Sequence, residues 1–120
     1  MKRFTTALAT AAVVSAVSCA TAFAHEEVKS TSPGKGKTAS SSIKSVTVTF
    51  SGMIRKGTLK VTGPGGKVVS NGSGGRDPRN VKRLKVALKS GLKAGSYKAT
   101  WTIVASDGDN QSGSFTFKLK

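Results

Sequence analysis

Beyond residue 25 the apolar positions recur with a period of two, in short runs separated by glycine-rich or polar breaks, and this alternation predicts half-buried antiparallel strands. Val46, Val48 and Phe50 face one way while Thr47 and Thr49 face the other. Leu59 and Val61 repeat the pattern before the turn Gly63-Pro64-Gly65-Gly66, and Val68 and Val69 add a short run. Ser70 to Asn80, rich in Gly, Ser, Asn and Asp, reads as the longest loop. Leu84, Val86 and Leu88 then alternate with Lys85, Ala87 and Lys89, and a break at Gly91 to Gly95 leads into Tyr97, Ala99, Trp101 and Ile103. Trp101 is the expected core anchor. A polar loop, Ser106 to Gly113, precedes Phe115, Phe117 and Leu119 on the closing strand.

With a first strand near Val28, about seven strands are expected and no stretch reads as a helix. Short strands with turn signals between them predict an all-β fold, two antiparallel sheets packed face to face as an immunoglobulin-like β-sandwich. A small closed barrel is the alternative.

The first residues follow a different pattern. Lys2 and Arg3 precede an apolar stretch from Ala7 to about Val17, and Ala22-Phe23-Ala24 supplies the small residues behind which a signal peptidase cuts. Residues 1–24 are therefore expected to be a cleaved signal peptide, with residues 25–120 one exported domain, periplasmic or otherwise outside the cytoplasm. The apolar stretch is too short to anchor the chain across a bilayer. A second processing route stays open, in which Ala16-Val17-Ser18-Cys19 acts as a lipobox, Cys19 is lipidated and His25 remains internal.

Composition narrows the chemistry. With 20 Lys and Arg against five acids, the net charge is +15, or +13 once Lys2 and Arg3 leave with the leader. Such a field favours polyanions, although lysines spread singly along strands also suit solvated outer faces and guarded sheet edges. An exported chain without interleaved aromatic residues is not expected to bind nucleic acid. With one histidine, five acids and no cysteine after Cys19, the usual acid, base and nucleophile sets are missing, so an enzyme is not expected.

Metal binding is the chemistry for which parts are present. Cleavage after Ala24 would make His25, the only histidine, the first residue, and its α-amine and ring nitrogen would then close a chelate on one cation. Asp107 and Asp109 flank Gly108, where a bend would aim both carboxylates at one ion. A plain turn, with the aspartates accepting backbone N–H bonds, fits the same residues. A solvated terminal histidine likewise remains open.

A resemblance bears on the choice. Leu92-Lys93-Ala94-Gly95-Ser96-Tyr97-Lys98-Ala99-Thr100-Trp101, then Ser106-Asp107-Gly108, then Gly113-Ser114-Phe115-Thr116-Phe117, is similar to the C-terminal half of the CopC-like copper-resistance proteins. Their pattern reads L-x-A-G-x-Y-x-V-x-W, D-G-H and G-x-F-x-F. Ala24-His25, Ser30-Thr31-Ser32-Pro33-Gly34 and Val46-Thr47-Val48-Thr49-Phe50-Ser51 resemble the family's start, first turn and early strand.

The resemblance implies a periplasmic β-sandwich that binds Cu(II) through the first histidine, the aspartate of D-G-H and the histidine of that motif. His25 and Asp107 match the first two. Asp109 stands where the family has histidine, so either a carboxylate substitutes as ligand or tight binding has been lost; weakened affinity is expected, since Cu(II) prefers nitrogen donors. Met53 is the only methionine after the leader, which disfavours a Cu(I) patch. The family also implies an inner-membrane copper transporter as partner, and a monomer is expected. The competing expectation is a module without metal that binds anionic surface polymers or another envelope protein.

Overall fold

The computed structural model describes residues 26–120; His25 and Cys19, with the expected cleavage site and lipobox, lie outside the described residues. Eight strands form: β1 (Val28–Ser32), β2 (Thr38–Ala39), β3 (Ser45–Phe50), β4 (Ile54–Thr62), β5 (Ser70–Asp77), β6 (Asn80–Leu88), β7 (Gly95–Ala105) and β8 (Asn110–Leu119). They make two four-stranded sheets, ordered β1-β3-β6-β5 and β2-β8-β7-β4. The expected sandwich is therefore the architecture, with eight strands in place of about seven.

The alternation puts the apolar faces together. Val46, Val48 and Phe50 of the first sheet and Leu59, Val61, Ala99, Trp101, Ile103 and Phe117 of the second are buried in a single core. The Phe50 ring meets Trp101 edge-on, with centroids 4.9 Å apart at 76°, so the two sheets are joined by an aromatic pair worth about 1 kcal/mol beyond its burial. Trp101 is the core anchor the pattern predicts. Its partner across the ladder is Gly113, where any Cβ would collide with the indole ring. The glycine of the G-x-F-x-F segment thus makes room for the tryptophan of the segment before it.

At the start of β7, the Tyr97 hydroxyl donates to the Lys93 carbonyl at 2.6 Å, tying the loop to the strand as the tyrosine corner does in other sandwiches.

Two expectations need correction. Ser70 to Asn80 is not a loop: Ser70–Asp77 is an edge strand paired with β6, and the chain reverses directly, with Asp77 opposite Asn80. Glycine content hid it, because its ladder is made by backbone groups and carries no side-chain alternation. Gly74, at φ 63°, lies where a Cβ would come within 2.8 Å of the Lys85 carbonyl, so the close approach of the two strands needs glycine. The polar loop after β7 is also shorter than expected, since β8 begins at Asn110. The two-residue β2 runs parallel to β8, an exception to the otherwise antiparallel pairing.

Candidate metal-binding end

The β7–β8 hairpin and the start of β1 lie at the same end of the sandwich. Val104 pairs with Asn110 at the hairpin, and the four residues 106–109 form the turn. The Asp109 carbonyl accepts from Ala105 N–H at 2.8 Å, and Gly108 N–H donates to the Ala105 carbonyl at 2.9 Å. Gly108 takes φ 91°, a conformation suited to glycine, as the bend requires. One oxygen of Asp107 accepts the Asp109 N–H at 2.9 Å. The backbone-capping turn expected as one reading of this segment is therefore present. Asp107 is exposed and Asp109 half-buried, and a carboxylate that accepts one N–H bond retains lone pairs for a cation.

Residues that the sequence did not flag organise this end. With its amide turned to the orientation that satisfies both of its ends, the Gln111 carboxamide clasps the Glu26 peptide groups: its nitrogen donates to the Glu26 carbonyl at 2.9 Å and its oxygen accepts from Glu26 N–H at 3.2 Å. Glu27 and Ser51 exchange bonds in the same place. Ser51 N–H donates to the Glu27 carbonyl at 2.8 Å, and Ser51 Oγ accepts from Glu27 N–H at 2.9 Å. Ser51 Oγ also lies 3.2 Å from the Glu26 carboxylate, which fills the space over Gly52 where a Cβ would collide with it. The residue that follows His25 is thus fixed beside Gln111, two positions after Asp109 in β8.

Arg55 reaches the turn from the other side. The β4–β7 register slips between Ile54 and Lys56, and this bulge re-aims Arg55. Its Nε donates to the Ser106 carbonyl at 3.0 Å, and its Nη1 lies 3.8 Å from where a Gly108 Cβ would sit. A cation therefore already stands over the turn.

Among the described residues, no three or more His, Cys, Asp and Glu side chains gather to hold a metal. The structure brings Asp107 and Asp109 together in one turn, and the third expected ligand residue, His25, is outside what it describes. A groove here of about 480 Å³ is lined by Lys56, Thr58, Thr102, Asn110, Gln111 and Ser112 among others and adds no carboxylate. Gln111 and Arg55 carried no motif signal, because their roles come from backbone contacts across strands far apart in sequence.

Comparison with known proteins agrees with this architecture. No curated protein sequence matches the chain. Among solved structures, CopC from Methylosinus trichosporium OB3b is similar at TM-score 0.67 and 22% identity, over 80% of this chain and 94% of that one. PcoC, a methionine rich copper resistance protein from Escherichia coli, is similar at TM-score 0.63 and 26% identity, over 80% of this chain and 99% of that one. The profile of the CopC domain matches residues 28–120, and the chain belongs to the CopC domain family.

Proposed function

We propose that this chain is an exported copper-resistance protein that binds Cu(II) at the end where the chain start meets the β7–β8 turn. His25 supplies the terminal amine and a ring nitrogen, and Asp107 and Asp109 supply carboxylate oxygens. The observation that carries the reading is the clasp of Gln111 on Glu26, which fixes the residue after His25 close to the acidic turn. Family membership supports copper as the cargo.

The donor chemistry favours the cupric ion. PcoC is described as methionine rich, whereas this chain has Met1 and Met53 only, and one exposed thioether does not make a soft Cu(I) site. Two nitrogens and two carboxylates suit tetragonal Cu(II), with lower affinity than a site richer in imidazole. The amine must lose its proton to bind, and its ordinary pKa of about 7.7 to 8.0 means that mild acidification weakens binding. The role is binding and transfer without chemical turnover, in the periplasm, with a membrane copper transporter as the recipient or donor.

A Cu(II) titration of the exported protein, its start established by intact mass and its ligands counted by electron paramagnetic resonance, tests this. Two nitrogen ligands from one residue are expected, and His25→Ala, or one residue added ahead of His25, abolishes the site. Unchanged Cu(II) affinity in either variant refutes it.

A further inference from the structure

The strand register gathers the acidic residues of this molecule at one end. All five acidic residues lie at the end just described: Glu26 and Glu27 beside Ser51, Asp77 at the β5–β6 reversal, and Asp107 and Asp109 in the β7–β8 turn. The opposite end is where β4 finishes at Thr62, β6 at Leu88 and β8 at Leu119, and where β3, β5 and β7 begin. It holds no aspartate or glutamate, yet Lys44, Lys67, Lys89 and Lys93 sit in its loops, with Lys98 and Lys118 on the adjoining strand ends.

Several of these cations surround one surface feature. A groove of about 280 Å³ is bounded by Lys67, Lys89 and Lys93, and its floor is Val69, Leu92 and Tyr97. Val68 on its rim is 40% exposed, an apolar side chain of this size among lysines. A lysine rim with an apolar residue at its edge suits a surface that meets both phosphate and acyl chain.

We propose that this acid-free end docks on an anionic bilayer surface, with Lys67, Lys89 and Lys93 against lipid phosphates and Val68 at the headgroup boundary. The charge is spread over a whole end of the sandwich, which fits an extended anionic surface better than one captured ion. Docked in this way, the molecule holds its acidic end away from the bilayer. The proposal stands apart from the copper reading and uses none of the same residues.

Sedimentation of the exported protein with vesicles tests it. Vesicles containing phosphatidylglycerol should carry the protein down at low salt and release it as salt rises, and pure phosphatidylcholine vesicles should not bind it. The triple variant Lys67→Glu, Lys89→Glu, Lys93→Glu should lose at least ~30-fold in vesicle affinity, while Lys29→Glu, Lys56→Glu, Lys82→Glu, with the same net charge, stays within ~3-fold of the parent. Val68→Ser should weaken binding without altering the salt response. Equal loss in both triple variants would mean that net charge alone acts, and absence of binding to phosphatidylglycerol would remove the surface altogether. Full competition by inorganic phosphate or by a soluble acidic polysaccharide at matched charge would likewise overturn a bilayer as the occupant.

Discussion

The two ends of the sandwich are built from the same strands and differ in what their turns carry. At one end three of the acids are held by neighbours: Glu26 accepts from the Ser51 hydroxyl, Asp77 pairs with Arg83, and Asp107 accepts the Asp109 N–H. At the other, lysines stand without acids and surround an apolar groove. A net charge of +15 conceals this division, since it is a sum over the whole chain. Where the few acids sit, and not how many bases there are, separates the end proposed to bind copper from the end proposed to dock on an anionic surface.

Acid should break this comparison most completely. Asp77 is buried at the tip of the β5–β6 reversal, accepting Arg79 N–H at 2.9 Å and pairing with Arg83 Nε at 3.0 Å. The Arg79 N–H bond and the Arg83 guanidinium hold its carboxyl below the ordinary value, against the opposing pull of burial. A depressed carboxyl stabilises the fold fully above the unfolded pKa of about 3.9 and loses that contribution as pH falls through the folded value. Acid unfolding followed by circular dichroism should therefore begin below about pH 4, and Asp77→Asn should flatten that part of the pH profile. Hydrogen exchange should show the β5–β6 reversal opening first, with the lysine end still protected.

How much of this was legible in the sequence depends on whether side chains or backbone did the work. Trp101, Phe115 and Phe117 declared themselves by alternation, and the core contains them where the pattern puts them. β5 did not, because Ser70–Asp77 has almost no apolar side chain and is held through backbone pairing to β6. The same distinction applies at the candidate site. Asp107 and Asp109 stood out as carboxylates two apart, whereas Gln111 and Arg55 act on the backbone at Glu26 and Ser106 and leave no spacing to find. The grouping of acids at one end also needed the register, since Asp77 is far in sequence from both the chain start and the last turn.

Gln111 allows the comparison to be sharpened without disturbing the core. Gln111→Ala removes both bonds to Glu26 on a half-buried position, and each neutral bond of this kind contributes about 1 kcal/mol. The chain start should then sample positions away from the turn, and Cu(II) affinity should fall by roughly 10-fold if most of that loss appears as a cost of ordering. The Glu26 amide should exchange faster with solvent even in the absence of copper, which reports the clasp independently of the metal. Vesicle binding at the lysine end should not change. Intact Cu(II) affinity together with accelerated exchange at Glu26 would separate the clasp from the site and leave only its structural role.

The smallest effect concerns Arg55, and it runs in the opposite direction. Its guanidinium lies over Gly108, between the two aspartates of the turn, so an incoming divalent cation meets a positive charge already in place. Arg55 is exposed, and solvent and salt screen the repulsion. Arg55→Gln retains an N–H donor for the Ser106 carbonyl while removing the charge, and should raise Cu(II) affinity by ~2- to 3-fold at low salt, with the gain vanishing as ionic strength rises. Arg55→Ala, which also removes the brace on the turn, should gain less than Arg55→Gln. If both variants bind Cu(II) more weakly than the parent and salt has no influence on the difference, Arg55 serves the turn as a mechanical support and its charge does not oppose the ion. If the glutamine variant alone gains, the acidic end holds its own competitor for the metal, and the absence of a second imidazole is not the sole reason for weak binding.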